Sequence, residues 1–365
     1  MALTQVQQGM VGTQTSIPMT YGAIGSGNSS IMKNRIINGA MVIDQRNGGA
    51  SWSATNGNYG LDRWATNSYN GSPTTGIFTV QQNAGSVTPP TGFANYLGIT
   101  SSAATSFGST GIYTVWQAIE GYNIADLTWG TANAKTVTLS FQVYSSLTGT
   151  FGGSVQNGGG TRSYPFTYTV SSANTWTTIS ITIVGDTTTP STNWFTTNGV
   201  GMYVRFGLGV GSTYAGTAGS WASANYYSAT GATSVVGTSG ATFYITGVQL
   251  EVGSSATGFE YVNYQTSLAN CQRYYTQFSN STLSDNLCAY TPYSPASYTS
   301  LPNSSAILPM YFPVSMRSAP TVVGVPNNGS INRQTSTTNV AVFQWASTSS
   351  STTYAVSSYT ATAEL

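Results

Sequence analysis

The chain contains no histidine, and this absence limits the chemistry that it can perform. Without imidazole there is no Ser-His-Asp or Cys-His nucleophile system and no histidine ligand for a metal. Two carboxylates about 5–10 Å apart would still suffice for a glycosidase. The sequence, however, places Asp44 two residues before Arg46 and Asp62 next to Arg63, which predicts charge pairing. We therefore expect no catalytic residues. The carboxylates are Asp44, Asp62, Glu120, Asp126, Asp186, Glu251, Glu260, Asp285 and Glu364.

Charge of either sign is scarce, at 5% of the residues, against about 25% in an ordinary soluble domain. The ten basic residues are scattered singly, whereas binding to phosphates requires clustered lysine and arginine. No segment reaches the roughly 20 apolar residues of a membrane-spanning helix. The first 19 residues have neither the positive region nor the apolar region of a signal peptide. We expect no nucleic-acid partner, no membrane insertion and no standard export route.

Cysteine is also rare, with only Cys271 and Cys288 in 365 residues. A disulfide-stapled secreted domain carries more cysteines, so we expect two free and partly buried thiols. The sequence contains no CxxC spacing and no DxDxDG calcium loop, so neither a structural metal nor any other cofactor is expected.

The composition suits strands and turns, because the chain is rich in threonine, serine, tyrosine and valine and contains 41 glycines. Val137, Leu139, Phe141 and Val143 alternate with polar residues, which is typical of a half-buried antiparallel strand. About eight such runs predict an all-β fold with an antiparallel jelly-roll sandwich over 33–261. The runs are 33–49, 76–84, 112–121, 135–146, 163–172, 175–186, 201–211 and 241–253.

Residues 262–275 interrupt this β texture. Tyr264, Leu268, Cys271 and Tyr275 lie at the spacing of one helical stripe, which predicts a short connector helix. Its stripe would pack on a domain or against two further copies around a threefold axis. Residues 276–365 alternate again and predict a small C-terminal β-domain. Residues 1–32 carry too little apolar material to fold alone, so they are either a floppy terminus or an extended arm that attaches to a neighbouring component.

Aromatic residues make up 12% of the chain, with 24 tyrosines and 8 tryptophans. Flat rings beside amides and hydroxyls suit the binding of neutral sugars, although most such rings, taken singly, belong to cores or interfaces. Rings in loop-like stretches are the candidates for glycan binding: Trp129, Trp221, Tyr226, Tyr227, Tyr290, Tyr293 and Tyr298. Trp116, Trp176 and Trp345 lie within strand patterns and are interpreted as core or sheet-face residues.

Four phrases of the sequence resemble phage and prophage tail-fibre proteins. They are NRIINGAMVIDQRNGG at 34–49, ATFYITGVQLEVGSSATGFEYVNYQTSLANCQRYY at 241–275, FPVSMRSAPTV at 312–322 and YTATAEL at 359–365. In that family a jelly roll similar to carbohydrate-binding modules precedes a "CqRYY" helix and a C-terminal domain that often closes on "A-AEL". The resemblance implies a homotrimeric receptor-binding protein on a virion tail, assembled in the host cytoplasm. The chain lacks the long shaft repeat of full-length fibres, which favours a compact protein at the tail tip or baseplate.

Three functions follow as hypotheses. The first is a tail-fibre protein that attaches through residues 1–32 to other tail or baseplate proteins and binds a host surface polysaccharide without cleaving it. The second is a purely structural virion component, such as a baseplate adaptor, a capsid decoration or a head fibre. The third is a depolymerase that uses a carboxylate pair, which two carboxylates facing each other in a groove would favour. We expect the first.

Overall fold

Two antiparallel six-stranded sheets face each other and form a jelly-roll sandwich. The computed structural model describes residues 32–188, 194–279, 289–290, 305–326, 331–346 and 354–365. In spatial order, sheet I contains β1 (Trp52–Ser53), β4 (Phe78–Gln82), β5 (Leu97–Ser101), β14 (Thr242–Val252), β7 (Val137–Ser145) and β10 (Thr177–Ile183). Sheet II contains β2 (Tyr59–Leu61), β3 (Trp64–Asn70), β6 (Gly111–Glu120), β11 (Val200–Val210), β8 (Gly149–Asn157) and β9 (Ser163–Val170). The prediction of an all-β jelly roll is confirmed.

The core lies between the two sheets. Phe141 and Phe243 project from sheet I, Phe151 and Phe206 project from sheet II, and all four are at most 2% exposed. Phe141 meets Phe206 with 5.0 Å between ring centroids and an interplanar angle of 78°, an edge-to-face arrangement that aromatic pairs prefer. Burying one such side chain contributes about 1.5–3 kcal/mol. This packing fixes which face of each strand points away from the core.

Residues 33–49, predicted as the first strand, form no strand in the structure. Asn38 and Met41 both have φ of 58°, a left-handed conformation that no strand accommodates. The side chain of Asn38 closes this turn, because it accepts from the N–H of Ile43 and donates to the carbonyl of the same residue. Its apolar residues are buried nevertheless, because the turn places Ile36 and Met41 in the core of the sandwich.

Five strands of the sandwich were not among the predicted runs: the short β1 and β2, and the longer β3, β5 and β8. Strand β8 carries three glycines in GTFGGSVQN, and glycine weakens a strand pattern because it has no side chain to alternate. Strand β3 contains Thr, Asn and Ser at positions that the structure buries or half-buries, so its polar composition resembles a loop.

Residues 264–272 form the α-helix α1 (Tyr264–Gln272), which is the only α-helix in the described ranges. Asn263 caps it, accepting a 2.9 Å hydrogen bond from the N–H of Thr266. Along the predicted stripe, Tyr264 is 56% exposed, Leu268 is half-buried and Cys271 is fully buried. Tyr275 was wrongly placed on the helix, since the helix ends first and Tyr275 begins the next strand.

Beyond α1 the chain forms two further antiparallel sheets. The first has β21 (Tyr354–Thr362) paired with β15 (Tyr275–Ser279), β16 (Ala289–Tyr290) and β18 (Thr321–Pro326). The second has β20 (Val340–Ala346) between β17 (Ser305–Tyr311) and β19 (Ile331–Ser336). Met310, Phe312, Met316, Phe343 and Tyr359 belong to a separate buried cluster between them.

A layer of ion pairs and hydrogen bonds joins the sandwich to this C-terminal region. Arg273 and the hydroxyl of Tyr274 each reach the carboxylate of Glu120 at 2.7 Å. Arg317 donates to the carbonyl oxygen of Asn198, in the sandwich, at 2.5 Å, and to those of Ala363 and Glu364 at 2.9 and 3.0 Å. Three of the phrases that resemble tail fibres supply residues to this junction, namely Arg273 with Tyr274, Arg317, and Ala363 with Glu364. Glu120 lies outside the phrases, on β6 of the sandwich.

The predicted charge pairing between sequence neighbours is wrong. Arg46 and Arg63 both pair with Glu364. Asp44 instead accepts from the N–H groups of a turn, and Asp62 accepts two 2.6 Å hydrogen bonds from the backbone and side chain of Gln45. Both arginines therefore pair with the carboxylate of Glu364, which is distant in the sequence and is brought near them by the tertiary fold.

Candidate functional site

The outer face of sheet II, which points away from the core, carries an unusual group of aromatic residues. Along β6, Tyr113 and Val115 enter the core, so Trp116 projects outward. Along β11, Val204 and Phe206 enter the core, so Tyr203 and Arg205 project outward. Strand period two therefore places these side chains together on one face.

Four rings lie on this face, and we name Tyr59, Trp116, Tyr203 and Tyr227 the ring platform. Trp116 meets Tyr59 edge-on with 5.9 Å between centroids and Tyr203 with 5.4 Å. Trp116 is 6% exposed, whereas the other three rings are half-buried and present part of their surface to solvent. The platform is thus a partly accessible aromatic surface supported by one nearly buried indole.

Arg205 lies in the middle of the ring platform. Its guanidinium carbon is 4.2 Å from the centroid of Tyr203, 4.4 Å from Tyr227 and 5.2 Å from Trp116. Cation–π attraction holds the guanidinium among these rings. Burial lowers the pKa of Arg205, an effect that the nearby Tyr227 and Tyr203 oppose.

Side-chain amides fix the orientation of this guanidinium. Arg205 Nε donates to Gln156 Oε1 and Nη1 donates to Asn67 Oδ1, both at 3.1 Å. Thr114 Oγ1 also donates to Asn67 Oδ1, at 3.0 Å, and Gln156 Nε2 donates to Asn225 Oδ1. The amides of Asn67 and Gln156 therefore hold the guanidinium in place among the rings, and Gln156 itself is only 1% exposed.

Tyr227 reaches the platform from the segment 212–230, which folds over β8 and β9 at one end of sheet II. A short parallel pair of strands, β12 (Ala215–Gly216) and β13 (Ser228–Ala229), holds this segment. A Cβ on Gly152 or Gly207 would lie 2.7 or 2.5 Å from Ser228 Oγ. Glycine at both positions is what lets the segment approach the sheet closely.

The other side of the platform is bounded by the last residues of the chain. Leu365 packs against the cluster formed by Ala65, Trp116 and Ala118, and its carbonyl accepts a 3.1 Å hydrogen bond from the hydroxyl of Tyr59. The accessible part of the face therefore lies between Leu365 and segment 212–230.

The structure separates the ring residues that the sequence proposed. Trp129 is 4% exposed and packs edge-on against Trp194 and the half-buried Trp221, with 4.7 and 5.3 Å between centroids. Its burial is that of a core residue, so Trp129 has no face available for a ligand. Tyr226 packs over Gly216. Of the predicted residues, only Tyr227 lies on the ring platform. The side chain of Tyr290, and all of Tyr293 and Tyr298, lie outside the described residues.

Sequence reasoning missed Tyr59, Asn67, Gln156, Tyr203 and Arg205. Trp116 was interpreted as a core or sheet-face residue, and it lies on the sheet face. One signal could have found the site: in YVRF (203–206) the tyrosine and arginine share the face opposite Val204 and Phe206. An arginine on an aromatic strand face is uncommon enough to be noticed.

Each carboxylate in the described part of the chain accepts at least one hydrogen bond. The donors belong to Asn47 and Gly49 for Asp44, Gln45 for Asp62, Arg273 and Tyr274 for Glu120, Arg35 for Asp126, Arg162 and Trp194 for Asp186, Gln249 and Thr257 for Glu251, Asn34 for Glu260, and Arg46 and Arg63 for Glu364. Asp285 lies outside the described residues. Within the described ranges, no three Cys, Asp or Glu side chains come together as metal ligands would, and no helix is long and apolar enough to cross a membrane.

No protein-family profile and no curated protein matches the chain. Among solved structures it is similar to a family 11 carbohydrate-binding module from Clostridium thermocellum in complex with a mixed-linked tetrasaccharide (12% identity, 56% of this chain, 98% of the module, TM-score 0.27). It is also similar to a xylan-binding domain from Paenibacillus barcinonensis (10%, 57%, 99%, TM-score 0.28). A third is an N-terminal cellulose-binding domain from Cellulomonas fimi (15%, 53%, 90%, TM-score 0.23). At these scores the likeness carries no argument about the ligand of this chain.

Proposed function

We propose that the chain is a glycan-binding protein that holds sugar rings on the ring platform without cleaving them. The observation that carries the proposal is the partly accessible surface of Tyr59, Tyr203 and Tyr227 on one sheet face. The apolar face of a pyranose ring can stack on such rings.

The proposal assigns no bond cleavage to the chain. In glycoside hydrolysis two carboxylates flank the scissile bond of the bound sugar. The described carboxylates are instead engaged with arginine, amide, hydroxyl or backbone donors, and none of their donors belongs to the ring platform. The depolymerase hypothesis is therefore not part of the proposal.

We further propose that the protein is a homotrimeric component of a phage tail that adheres to a host surface polysaccharide. Support comes from the order of the four phrases in the sequence and from the scarcity of charge. Tyr261, Val262 and Tyr264, at the start of α1, are 64%, 45% and 56% exposed. Trimer contacts there would cover this apolar surface. Attachment to other tail or baseplate proteins is assigned to residues 1–32, of which 1–31 lie outside the described residues.

Binding of the full-length protein to immobilised bacterial surface polysaccharides tests the glycan proposal. Tyr203→Ala and Tyr227→Ala should each weaken binding roughly tenfold or more, because each removes a contact ring. Tyr122→Ala is the matched control, since Tyr122 is 60% exposed and lies outside the platform. The polymer should keep its length on prolonged incubation. Unchanged binding by both platform variants, or shortening of the polymer, would contradict the proposal.

Light scattering of the purified full-length protein tests the assembly. The expected mass is three times that of the 38.2 kDa chain. Tyr264→Asp, which places a charge in the exposed apolar patch, should lower the measured mass. A wild-type monomer would contradict the homotrimer and leave the glycan proposal to its own test.

A further inference from the structure

Four arginines in the described part of the chain are at most 6% exposed: Arg35, Arg63, Arg162 and Arg205. The first three pair with Asp126, Glu364 and Asp186. Among the described residues, Arg205 has no carboxylate within 4.0 Å. A buried charge is costly unless it is paired, so the fold treats Arg205 differently from its other buried arginines.

The hydrogen bonds of Arg205 leave part of its guanidinium unused. A guanidinium carries five N–H donors. Within the described residues, Nε and Nη1 each make one hydrogen bond, both to neutral amide oxygens. The edge formed by Nη1 and Nη2 retains donors of the kind that bind a carboxylate in a bidentate manner.

Neighbouring groups on the same face also lack acceptors. Arg205 stands directly opposite Trp116 on β6 and Ser154 on β8 in the sheet register. Trp116 Nε1 and Ser154 Oγ are buried and have no hydrogen-bond partner in the described part of the chain. Unpartnered buried polar groups are rare in native proteins and call for an explanation. Arg205, Trp116 and Ser154 can all donate hydrogen bonds, so this part of the face lacks acceptors. The positive charge of Arg205 favours an acceptor that is negatively charged.

We propose that the sugar recognised on the ring platform is acidic, and that Arg205 binds its carboxylate. This inference rests on the proposed glycan binding and narrows it to polysaccharides that contain a carboxylated sugar. Phosphate and sulfate groups on a glycan share the anionic oxygen chemistry. The planar guanidinium fork matches a planar carboxylate, which favours the carboxylated class.

The test measures binding of the full-length protein to immobilised polygalacturonate, alginate, hyaluronan and polysialic acid at fixed ionic strength. Each polymer is compared with its carboxyl-reduced form, which keeps the linkages and removes the charge. Dextran and mannan serve as neutral polymers, and teichoic acid and dextran sulfate as phosphate and sulfate polymers. At least one carboxylated polymer should bind roughly tenfold more tightly than its reduced form, as expected for one charge-assisted bidentate contact.

Three variants separate the role of Arg205 from general effects. Arg205→Gln should abolish the preference for the carboxylated form. Lys135→Gln removes the same charge from a side chain that is 47% exposed and outside the platform, and it should keep the preference. Arg205→Lys retains the charge without the fork and should reduce the preference, which keeps the test decisive if Arg205→Gln unfolds. Thermal melting of each variant verifies the fold.

The binding results distinguish recognition of a carboxylated sugar by Arg205 from glycan binding on the ring platform. Equal binding of native and reduced polymers, weakened by Tyr203→Ala but not by Arg205→Gln, would overturn the inference and leave glycan binding intact. A preference for teichoic acid or dextran sulfate that depends on Arg205 would show that the carboxylate class is wrong. Binding to none of these polymers would overturn glycan binding and the inference with it.

Discussion

The guanidinium of Arg46 lies 2.7 Å from the carboxylate of Glu364, although 318 residues separate them in the chain. Arg63 binds the other oxygen of the same carboxylate. Arg63 and Glu364 are 1% and 6% exposed, so this group of charges is largely withdrawn from water. Because Glu364 follows the last strand, the contact fixes the end of the C-terminal region against the sandwich and beside the ring platform.

Glu364→Gln should destabilise the protein strongly. The amide keeps the size of the side chain but removes the charge that Arg46 and Arg63 share, and an unpaired buried charge costs about 3–5 kcal/mol. Denaturant unfolding measures the loss. Lys135→Gln is the control: Lys135 pairs with Asp126, and the two side chains are 47% and 45% exposed, so its loss should cost less than about 1 kcal/mol. Equal effects of the two substitutions would contradict this account.

Asp62 should make the stability depend on pH between about 4 and 6. Burial raises the pKa of its carboxyl to about 6, against the lowering effects of Arg46 and of hydrogen bonds from Gln45. The folded state then binds the proton more tightly than the unfolded state, whose Asp titrates near 3.8. The free energy of unfolding should therefore fall as pH rises through this window, by up to about 3 kcal/mol, and change no further through Asp62 above it.

Asp62→Asn removes this titration, so its unfolding free energy should lack the fall between pH 4 and 6. The absence of histidine keeps this window free of imidazole titration. The measurement is denaturant unfolding of both proteins at several pH values. If the unfolding free energies of the wild type and of Asp62→Asn changed in parallel from pH 4 to 6, Asp62 would not be the titrating group.

The sequence predicted the fold better than the site, for physical reasons. Strand β7 alternates cleanly between Val137 and Val143, and period two is a local property that one strand displays by itself. The ring platform combines residues from β2, β6, β11 and segment 212–230, and only the sheet register places them side by side. No local pattern distinguishes Arg205, without a carboxylate partner, from Arg162, which pairs with Asp186.

The prediction of a first strand over residues 33–49 was wrong because the local composition was misleading. NRIINGAMVID contains enough apolar residues for a strand, but Asn38 adopts a left-handed conformation and closes a turn. Asparagine tolerates that conformation better than most residues, so the Asn-Gly pair at 38–39 was a turn signal within an apolar run. The phrases that resemble tail fibres coincide with this turn and with the junction between the sandwich and the C-terminal region, where side chains make specific contacts.

Cys271 should be inert towards thiol reagents in the folded protein. Its side chain is fully buried and free of disulfide, and burial raises the pKa of the thiol well above its usual range. Thiolate is the reactive form, so both access and ionisation are suppressed. In a Cys288→Ser variant, labelling by a disulfide exchange reagent should be roughly 100-fold slower natively than in denaturant. Fast native labelling would mean that the helix opens readily from the sandwich.

Gly207 should control the position of Tyr227 on the platform. A Cβ at residue 207 would lie 2.5 Å from Ser228 Oγ and 3.0 Å from Ser228 Cβ, so Gly207→Ala must displace β13 from the sheet. Overpacking of this kind costs about 1–3 kcal/mol. Since Tyr227 precedes Ser228, the same displacement should weaken polysaccharide binding and speed hydrogen exchange across residues 212–230.

Gly199→Ala provides the matched control, because a Cβ at residue 199 meets no atom within 4 Å. That substitution should leave binding unchanged and alter the free energy of unfolding by less than about 1 kcal/mol. Hydrogen exchange locates the effect: faster exchange confined to residues 212–230 in Gly207→Ala would tie the loss of binding to Tyr227. Faster exchange throughout sheet II would instead mean that the sheet itself is disturbed, and the assignment of Tyr227 to the binding surface would lose this support.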